Sequence, residues 1–423
     1  MTSPATTDSL PAILGGPSAV TLDQEEANRW PIITTEDEDA VLQVLRSGEL
    51  SIHPVVGELE KDYRSLTGRT HALTHNNGTA AILAALHALG IGPGDEVIVP
   101  SATWWSSVMP VLHCGGVPVF AELEGERLGL DPEDVERRIT DRTKAIVVVH
   151  LFGMPSKMKE LQDVANRHGL RILEDASHAH GATCDGKPIG SFGDVSVFSM
   201  QGNKLCPSGE GGILLTDDEA IWESAVRLGH YERLLHLQSK NRYFAATGFG
   251  FKFRMAPLAA ALARAQLRHM PERNARRNTN CIHLSSRLQE MGIECFHSPT
   301  DVERVYFEFL VRYDEQASGL PIGDLAKALQ AEGAHVAAPR YPLLHQQPVF
   351  THGVWSKIAR LPATPENPIH VYDPADLPQT TLGNGSLLKL PSFPSATTEL
   401  LDQYALAFEK VLRHAGEIPR TDA

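Results

Sequence analysis

Short β-branched runs alternate with helical stretches through the first half of this chain, and that alternation constrains the fold more than any other feature. Residues 97–99, 117–120, 145–150 and 171–174 predict strands. Between them, residues 79–89, 131–139 and 158–168 carry helical spacing, and Asp131-Pro132 supplies a helix-start signal. Helices interleaved with short apolar strands fit a mostly parallel sheet covered on both faces. The expected class is α/β, with a large sheet domain over residues 29–270.

The pattern changes after about residue 216. Residues 220–228 and 256–267 predict helices, and a long helical stretch over 271–292 leads into a smaller C-terminal α+β domain, 271–423. That domain carries a strand-like run at 305–311, a helix at 322–332 and a last helix at 398–414. Pro- and His-rich residues 339–378 predict loop. At the other end, residues 1–28 are small and polar and predict a loose arm. A helix is expected over 35–50, with Thr34 or Thr35 as its cap.

At 423 residues, two domains are the default. Thirty-eight basic against 52 acidic side chains give a net charge of −14, which disfavours nucleic acid and anionic membrane as partners. Five scattered cysteines with no Cys-x-x-Cys pair fit a reducing cytoplasm and argue against zinc, so no metal is expected. Met1 to Pro11 lacks the basic start and apolar core of a signal peptide. The longest apolar runs are strand-sized, far short of a membrane span. A soluble cytoplasmic protein is the expectation.

The chemistry concentrates between Glu174 and Gly212. Asp175 ends one apolar run, and Lys204 follows a second, 195–198. Such an acid and lysine suit pyridoxal 5′-phosphate: the amine holds the cofactor aldehyde as a Schiff base, and the carboxylate keeps the pyridine nitrogen protonated. Alone, the pair proves nothing.

Four neighbouring features strengthen it. Asn77-Gly78-Thr79-Ala80 opens a helix whose free N–H groups and dipole suit an anion, although an ordinary capped helix has the same residues. Trp104 and Trp105 follow the 97–99 strand, where ligands sit in parallel-sheet enzymes. Trp104 suits stacking on a pyridine ring; burial in a core or interface is the alternative. His178, three residues past Asp175, is placed to donate to the cofactor's phenolic oxygen, or is simply a surface histidine. Ser199 suits the phosphate, and Gly209, Gly211 and Gly212 permit a tight turn. Each feature has an ordinary structural explanation, yet they fall in one order at the ends of successive strands.

Taken together, these stretches resemble the DegT/DnrJ/StrS group of sugar and cyclitol aminotransferases, of the aspartate aminotransferase fold (fold type I). The likeness extends from about Gly15 to the C terminus. It includes Asn77 to Ala81, Gly94 to Pro100, Val149 to Gly153, Glu174 to His178, Ser199 to Lys204, Gly209 to Gly212, Gly250 to Met255 and Pro391 to Pro394. The resemblance implies that Lys204 carries the cofactor and shuttles the proton, and that Asp175 pairs with the pyridine nitrogen. It places His178 near the ring oxygen and Trp104 on the ring face. Gly78, Thr79, Ala80 and Ser199 would hold the phosphate. It further implies a homodimer with shared sites, in which Gly250 to Arg254 of a second copy reaches the phosphate. Lys252 stands there where the group often has Asn. His345, Trp105 and Trp30 are the candidates for the substrate side, with packing as the alternative for each.

The implied reaction carries an amino group from glutamate or glutamine to a keto-sugar or keto-cyclitol, through the pyridoxamine 5′-phosphate form, in amino-sugar or antibiotic biosynthesis. Two alternatives remain at this stage: a dehydratase or elimination enzyme of the same group, and a non-catalytic regulatory protein on this fold. Lys204 weighs against the dehydratases, which have histidine there, and the intact Lys204/Asp175 pair weighs against a scaffold. A nicotinamide dehydrogenase fails for want of Gly-x-Gly-x-x-Gly after a first strand.

Overall fold

The computed structural model of the protein describes residues 6–362 and 371–421. The first five residues of the expected arm, residues 363–370 of the Pro- and His-rich stretch and the last two residues lie outside them.

Seven strands form the large sheet: β1 (His71–His75), β2 (Glu96–Pro100), β3 (Val117–Ala121), β4 (Thr143–Val149), β5 (Arg171–Asp175), β6 (Val195–Ser199) and β7 (Gly212–Thr216). Their order is β1-β7-β6-β5-β4-β2-β3. Only β7 runs antiparallel to its neighbours; β6, β5, β4, β2 and β3 pair in parallel. Helices cover both faces, so β2 and β7 are buried along their whole length. The helices include α1 (Thr35–Ser47), α2 (Pro54–Thr67), α3 (Gly78–Ala88), α4 (Met158–His168) and α5 (Glu219–Gly229). Thr34 and Asp37 form a reciprocal capping box at the start of α1.

A long helix, α6 (Pro257–Glu290), then leads to a three-stranded antiparallel sheet, β8 (Glu294–Cys295), β9 (Phe309–Arg312) and β10 (Leu387–Leu390). Helices α7 (Ile322–Ala331) and α8 (Thr398–Arg413) share a second hydrophobic core with this sheet.

Four expectations change here. The two helices expected at 256–267 and 271–292 are one, because α6 continues through Pro271. An interior proline costs roughly 3 kcal/mol. Buried faces on both sides of it, Ala260 to Ala265 before and Arg277 to Leu288 after, outweigh that cost. The arm is not loose from Pro11 onward. Ala19, Val20 and Ala27 are buried in the second core. The Glu332 carboxylate accepts the Ala12 and Ala19 N–H groups at 2.7 and 2.8 Å, and meets the buried Lys410 ammonium at 2.7 Å.

The strand expected from 305 begins only at Phe309. Val305 and Phe307 donate their N–H groups to the carbonyls of Gly153 and Phe152 at 3.1 and 3.3 Å. That detour carries Phe307 and Glu308 towards the large sheet. Finally, the Pro- and His-rich stretch contains short helical turns at Leu344–Gln346, Pro348–Thr351 and Trp355–Ile358, and its last residue opens a helix at Pro378–Gly385. Tyr341, Leu344, Phe350 and Trp355 are buried in the hydrophobic core that the large sheet forms with its helices.

Candidate active site

A cavity of about 460 Å³ opens at the carboxyl ends of the parallel strands, a size suited to small-molecule ligands. Asp175 closes β5, Ser199 closes the neighbouring β6, and α3 begins three residues after β1. All three points line the cavity.

The start of α3 forms one end. The Oδ1 atom of Asn77 accepts the Ala80 N–H at 2.8 Å, as an N-cap does. The amides of Gly78 and Thr79 have no intrahelical acceptor, and both residues face the cavity with Ser199. A Cβ on Gly78 would lie 2.7 Å from Ser199 Cβ, and one on Gly212 would lie 2.5 Å from the Asn77 carbonyl oxygen. Glycine at both positions is therefore what lets the helix start, β6 and β7 converge. Two free amides, the Thr79 and Ser199 hydroxyls and the positive end of a helix fit a phosphate group. Ala80 is different: its N–H is already taken by Asn77, which leaves it no donor for an anion.

Asp175 is buried and doubly held. Ser107 donates its hydroxyl to Oδ2 at 2.7 Å, and the Ser177 N–H reaches Oδ1 at 3.1 Å. Thr103 and Ser107 are themselves bonded, Oγ1 to Oγ, at 3.1 Å. The carboxylate is thus fixed facing the cavity, as a partner for a ring N–H must be. Beside it, Glu174 turns away from the cavity. Its oxygens accept the N–H groups of Gly190, Phe192 and Gly193 at 2.5, 3.0 and 3.1 Å and meet His150 Nε2 at 3.1 Å. These contacts hold its carboxyl below the usual range despite full burial, which pushes the other way.

Lys204 lines the same cavity and is only 9% exposed. Its Nζ lies 4.7 Å from the centre of the Phe307 ring. Burial lowers its pKa to about 8; Asp175 opposes that shift, Arg340 adds to it, and Glu308 opposes it. An amine so placed loses its proton far more readily than an ordinary lysine, which makes it available as a nucleophile.

His178 is buried between Phe307, whose ring is stacked 4.1 Å away, and its polar partners. The Phe152 N–H donates to Nδ1 at 3.4 Å, and Tyr341 Oη lies 3.1 Å from Nε2. Burial, with Lys204 and Arg340 nearby, keeps the imidazole neutral by lowering its pKa well below the ordinary value. Nδ1 accepts a hydrogen bond, so Nε2 carries the proton of the neutral ring.

Trp104 and Trp105 line the cavity mouth with their rings 5.2 Å apart and 45% and 43% exposed. The other substrate-side candidates lie elsewhere. His345 is buried behind the cavity wall, with Nδ1 2.7 Å from Ser101 Oγ. There it braces the loop that carries Trp104. Trp30 also stands behind the wall. It donates Nε1–H to the Lys204 carbonyl at 3.0 Å, and the Arg277 guanidinium lies 3.8 Å from its ring. Lys252 is exposed and outside this chain's own cavity. Conversely, Ser107, Phe307, Arg340 and Tyr341 stand at the site without having been singled out in the sequence. Only Tyr341 had a signal, its place beside the His345 loop.

The sequence and the fold have counterparts among known proteins. The L-glutamine:scyllo-inosose aminotransferase of Streptomyces griseus is 34% identical, over 98% of this chain and all of that one. The GDP-perosamine synthase of Caulobacter vibrioides is 36% identical, over 76% of this chain and 86% of its own length. Among solved structures, DesV of S. venezuelae superposes with a TM-score of 0.75 at 30% identity, covering 96% of this chain and 100% of DesV. An aminotransferase from Psychrobacter cryohalolentis gives a TM-score of 0.82 at 25% identity, covering 92% and 99%. The DegT/DnrJ/EryC1/StrS aminotransferase family matches residues 31–400. The chain belongs to that family.

Proposed function

We propose that this aminotransferase uses pyridoxal 5′-phosphate to move an amino group from glutamine or glutamate to a keto-cyclitol or keto-sugar. The observation that carries the reading is the burial of Lys204 in one cavity with a fixed Asp175 and an open helix start. Relatives named as glutamine-dependent inosose aminotransferases, which this chain matches at 33–34% identity, favour a cyclitol ketone and glutamine.

The residues present fit the cofactor. The Gly78 and Thr79 amides with Ser199 would take the phosphate, Asp175 the ring nitrogen, and Trp104 one ring face. When bound, pyridoxal phosphate supplies an electron sink that stabilises the carbanion left when an amino acid loses its α-proton. Asp175 would keep that sink cationic, and Ser107 and the Ser177 amide keep Asp175 oriented. Lys204 would hold the cofactor covalently. Its Nζ, when free, would take the donor's α-proton and return it, which a pKa of about 8 favours. His178 Nε2 and Tyr341 Oη form a polar pair at the cavity wall that would position the cofactor ring. The aromatic mouth at Trp104 and Trp105 suits the apolar face of a cyclitol and limits water.

A second copy of the chain is part of this reading. Tyr243, Phe249 and Phe251 are 89%, 42% and 50% exposed, on the segment that also holds Lys252. An apolar strip of this kind suits an interface, and Lys252 from one copy would supply phosphate charge to the other. No helix among the described residues is long and apolar enough to cross a membrane.

The test is direct. Purified protein reconstituted with pyridoxal phosphate, reduced with borohydride and digested should carry the cofactor mass on the Lys204 peptide. The pyridoxamine-loaded protein should recover its original spectrum on addition of scyllo-inosose. A label on another lysine, or no spectral change with any keto-cyclitol or keto-sugar of a broad panel, would reject the proposal.

A further inference from the structure

Phe307 stands at the lysine without a task in the reaction proposed above. The Lys204 amine lies over its ring, with Nζ 4.7 Å from the ring centre. Lys204 is otherwise short of partners. It is almost wholly buried. Among the described residues, no protein atom accepts a hydrogen bond from Nζ and no carboxylate forms an ion pair with it. A buried ammonium left in this way is costly. An aromatic face attracts a cation through its quadrupole, more strongly where water is excluded.

The ring is held from two directions. The N–H groups of Val305 and Phe307 bond the carbonyls of Gly153 and Phe152 at 3.1 and 3.3 Å, which ties this segment of the smaller domain to the turn after β4. Only glycine allows so close an approach at residue 153, where a Cβ would collide with the Val305 carbonyl oxygen. The His178 ring stacks on Phe307 at 4.1 Å, with 11° between the planes. Phe307 is itself buried, so it has little room to turn away from the amine.

The charges around Lys204 show what such a platform contributes. Asp175 and Glu308 favour the ammonium form, and Arg340 opposes it. Asp175 faces the ring nitrogen in the reading above, and Glu308 is engaged by Arg340 Nε. His178 and His180 are buried and uncharged. A carboxylate in hydrogen-bond contact would hold the amine charged and blunt it as a base. An aliphatic wall would favour the neutral amine and leave the cation unsupported. An aromatic face lies between the two, because it stabilises the cation without accepting its proton. We infer that Phe307 is the positioning residue that seats the free Lys204 amine and balances its two protonation states, so that one group can both take and return the α-proton. The inference rests on the aminotransferase reading above.

Titration of Lys204 in the cofactor-free protein tests this. Trace labelling with acetic anhydride across neutral to alkaline pH, read by mass spectrometry on the Lys204 peptide, gives the pKa of the amine. Phe307→Leu keeps an apolar side chain and removes the quadrupole, so the pKa should fall by about 0.5 to 1. Phe307→Met, a second ringless variant, should shift it the same way. Phe307→Tyr keeps the ring and should stay within about 0.2 of wild type. With pyridoxal phosphate bound, Phe307→Leu should lower the maximal rate of the glutamine half-reaction roughly tenfold. Its half-saturating glutamine concentration should stay within about twofold of wild type, and the acid limb of its pH profile should move down with the pKa of the amine. An unchanged or raised pKa in the ringless variants would mean that Phe307 is only an apolar wall, and would overturn the inference. So would a Phe307→Tyr protein that shifts as far as Phe307→Leu. Both results are read without the cofactor and leave the aminotransferase reading standing, whereas a wild-type protein that takes up no pyridoxal phosphate would sink that reading itself.

Discussion

Tyr341 Oη and His178 Nε2 lie 3.1 Å apart, joining residues 163 positions distant in the chain. The imidazole is pinned at both nitrogens, by the Phe152 amide and by this phenol. Burial raises the Tyr341 pKa far above the ordinary tyrosine value, so the phenol stays protonated at any working pH. Tyr341→Phe removes one oxygen from this pair and leaves the stacked rings in place. It should slow the glutamine half-reaction roughly 5- to 10-fold, the effect of about one net hydrogen bond. Cofactor content should stay at one per chain, measured by release of pyridoxal phosphate in alkali. Unchanged rates would remove Tyr341 from the working site.

Asp175 invites a graded comparison. Asp175→Asn keeps the shape and the Ser177 contact but removes the charge opposite the ring nitrogen. Turnover should fall on the order of a hundredfold or more, as when a preorganised electrostatic partner is lost. Ser107→Ala removes only the 2.7 Å bond to Oδ2 and should cost about tenfold. Equal effects of the two changes would mean that orientation, not charge, is what Asp175 contributes.

Steric room at the helix start makes another prediction. A methyl on Gly78 would sit 2.7 Å from Ser199 Cβ and 3.0 Å from its Oγ. Gly78→Ala should therefore weaken pyridoxal phosphate binding at least tenfold, read by fluorescence titration of the apo-protein. Adding Ser199→Gly removes the atoms in the way together with the phosphate hydroxyl, so the double variant should bind about as tightly as Ser199→Gly alone. A double variant that binds much more weakly than Ser199→Gly alone would mean that the methyl disturbs the helix start by some route other than the Ser199 side chain.

The sequence carried the succession of the central strands and helices well, because buried parallel strands are apolar along their length and end on polar residues. Asp175, Ser199 and Lys204 all stand at such transitions. It carried far less about what arrives from a distance. Ser107 has no local pattern, and it matters only because packing brings it to Asp175. Arg340 sits in a Pro- and His-rich stretch that lacks periodicity, so nothing announced a cavity residue there. Phe307 was absorbed into a strand-like run, yet its amide bonds Phe152 instead of a strand neighbour. His345 and Trp30 illustrate the opposite error. Both are residue types that often contact ligands, but here one braces Ser101 and the other the Lys204 carbonyl. Nor did polarity reveal that the arm is fastened, since its anchors, Glu332 and Lys410, lie more than 300 residues away.

The final prediction concerns the cost of holding Lys204 ready. Its pKa falls from 10.5 to about 8 on folding, chiefly through burial. Between those values the unfolded chain binds the extra proton, so this residue's contribution to stability rises with pH across the interval. Below about pH 8 the folded apo-protein bears the whole penalty, about 3 kcal/mol for a shift of this size. Lys204→Met removes the titrating group while keeping much of the side-chain volume. The apo variant should therefore be more stable than apo wild type at pH 7, by up to that amount in urea unfolding. The gap should close as pH is raised towards 10, because wild-type Lys204 is then neutral when folded and increasingly so when unfolded. A gap that stays constant from pH 7 to 10 would mean that Lys204 keeps an ordinary pKa, and that its readiness as a base comes only from the bound cofactor.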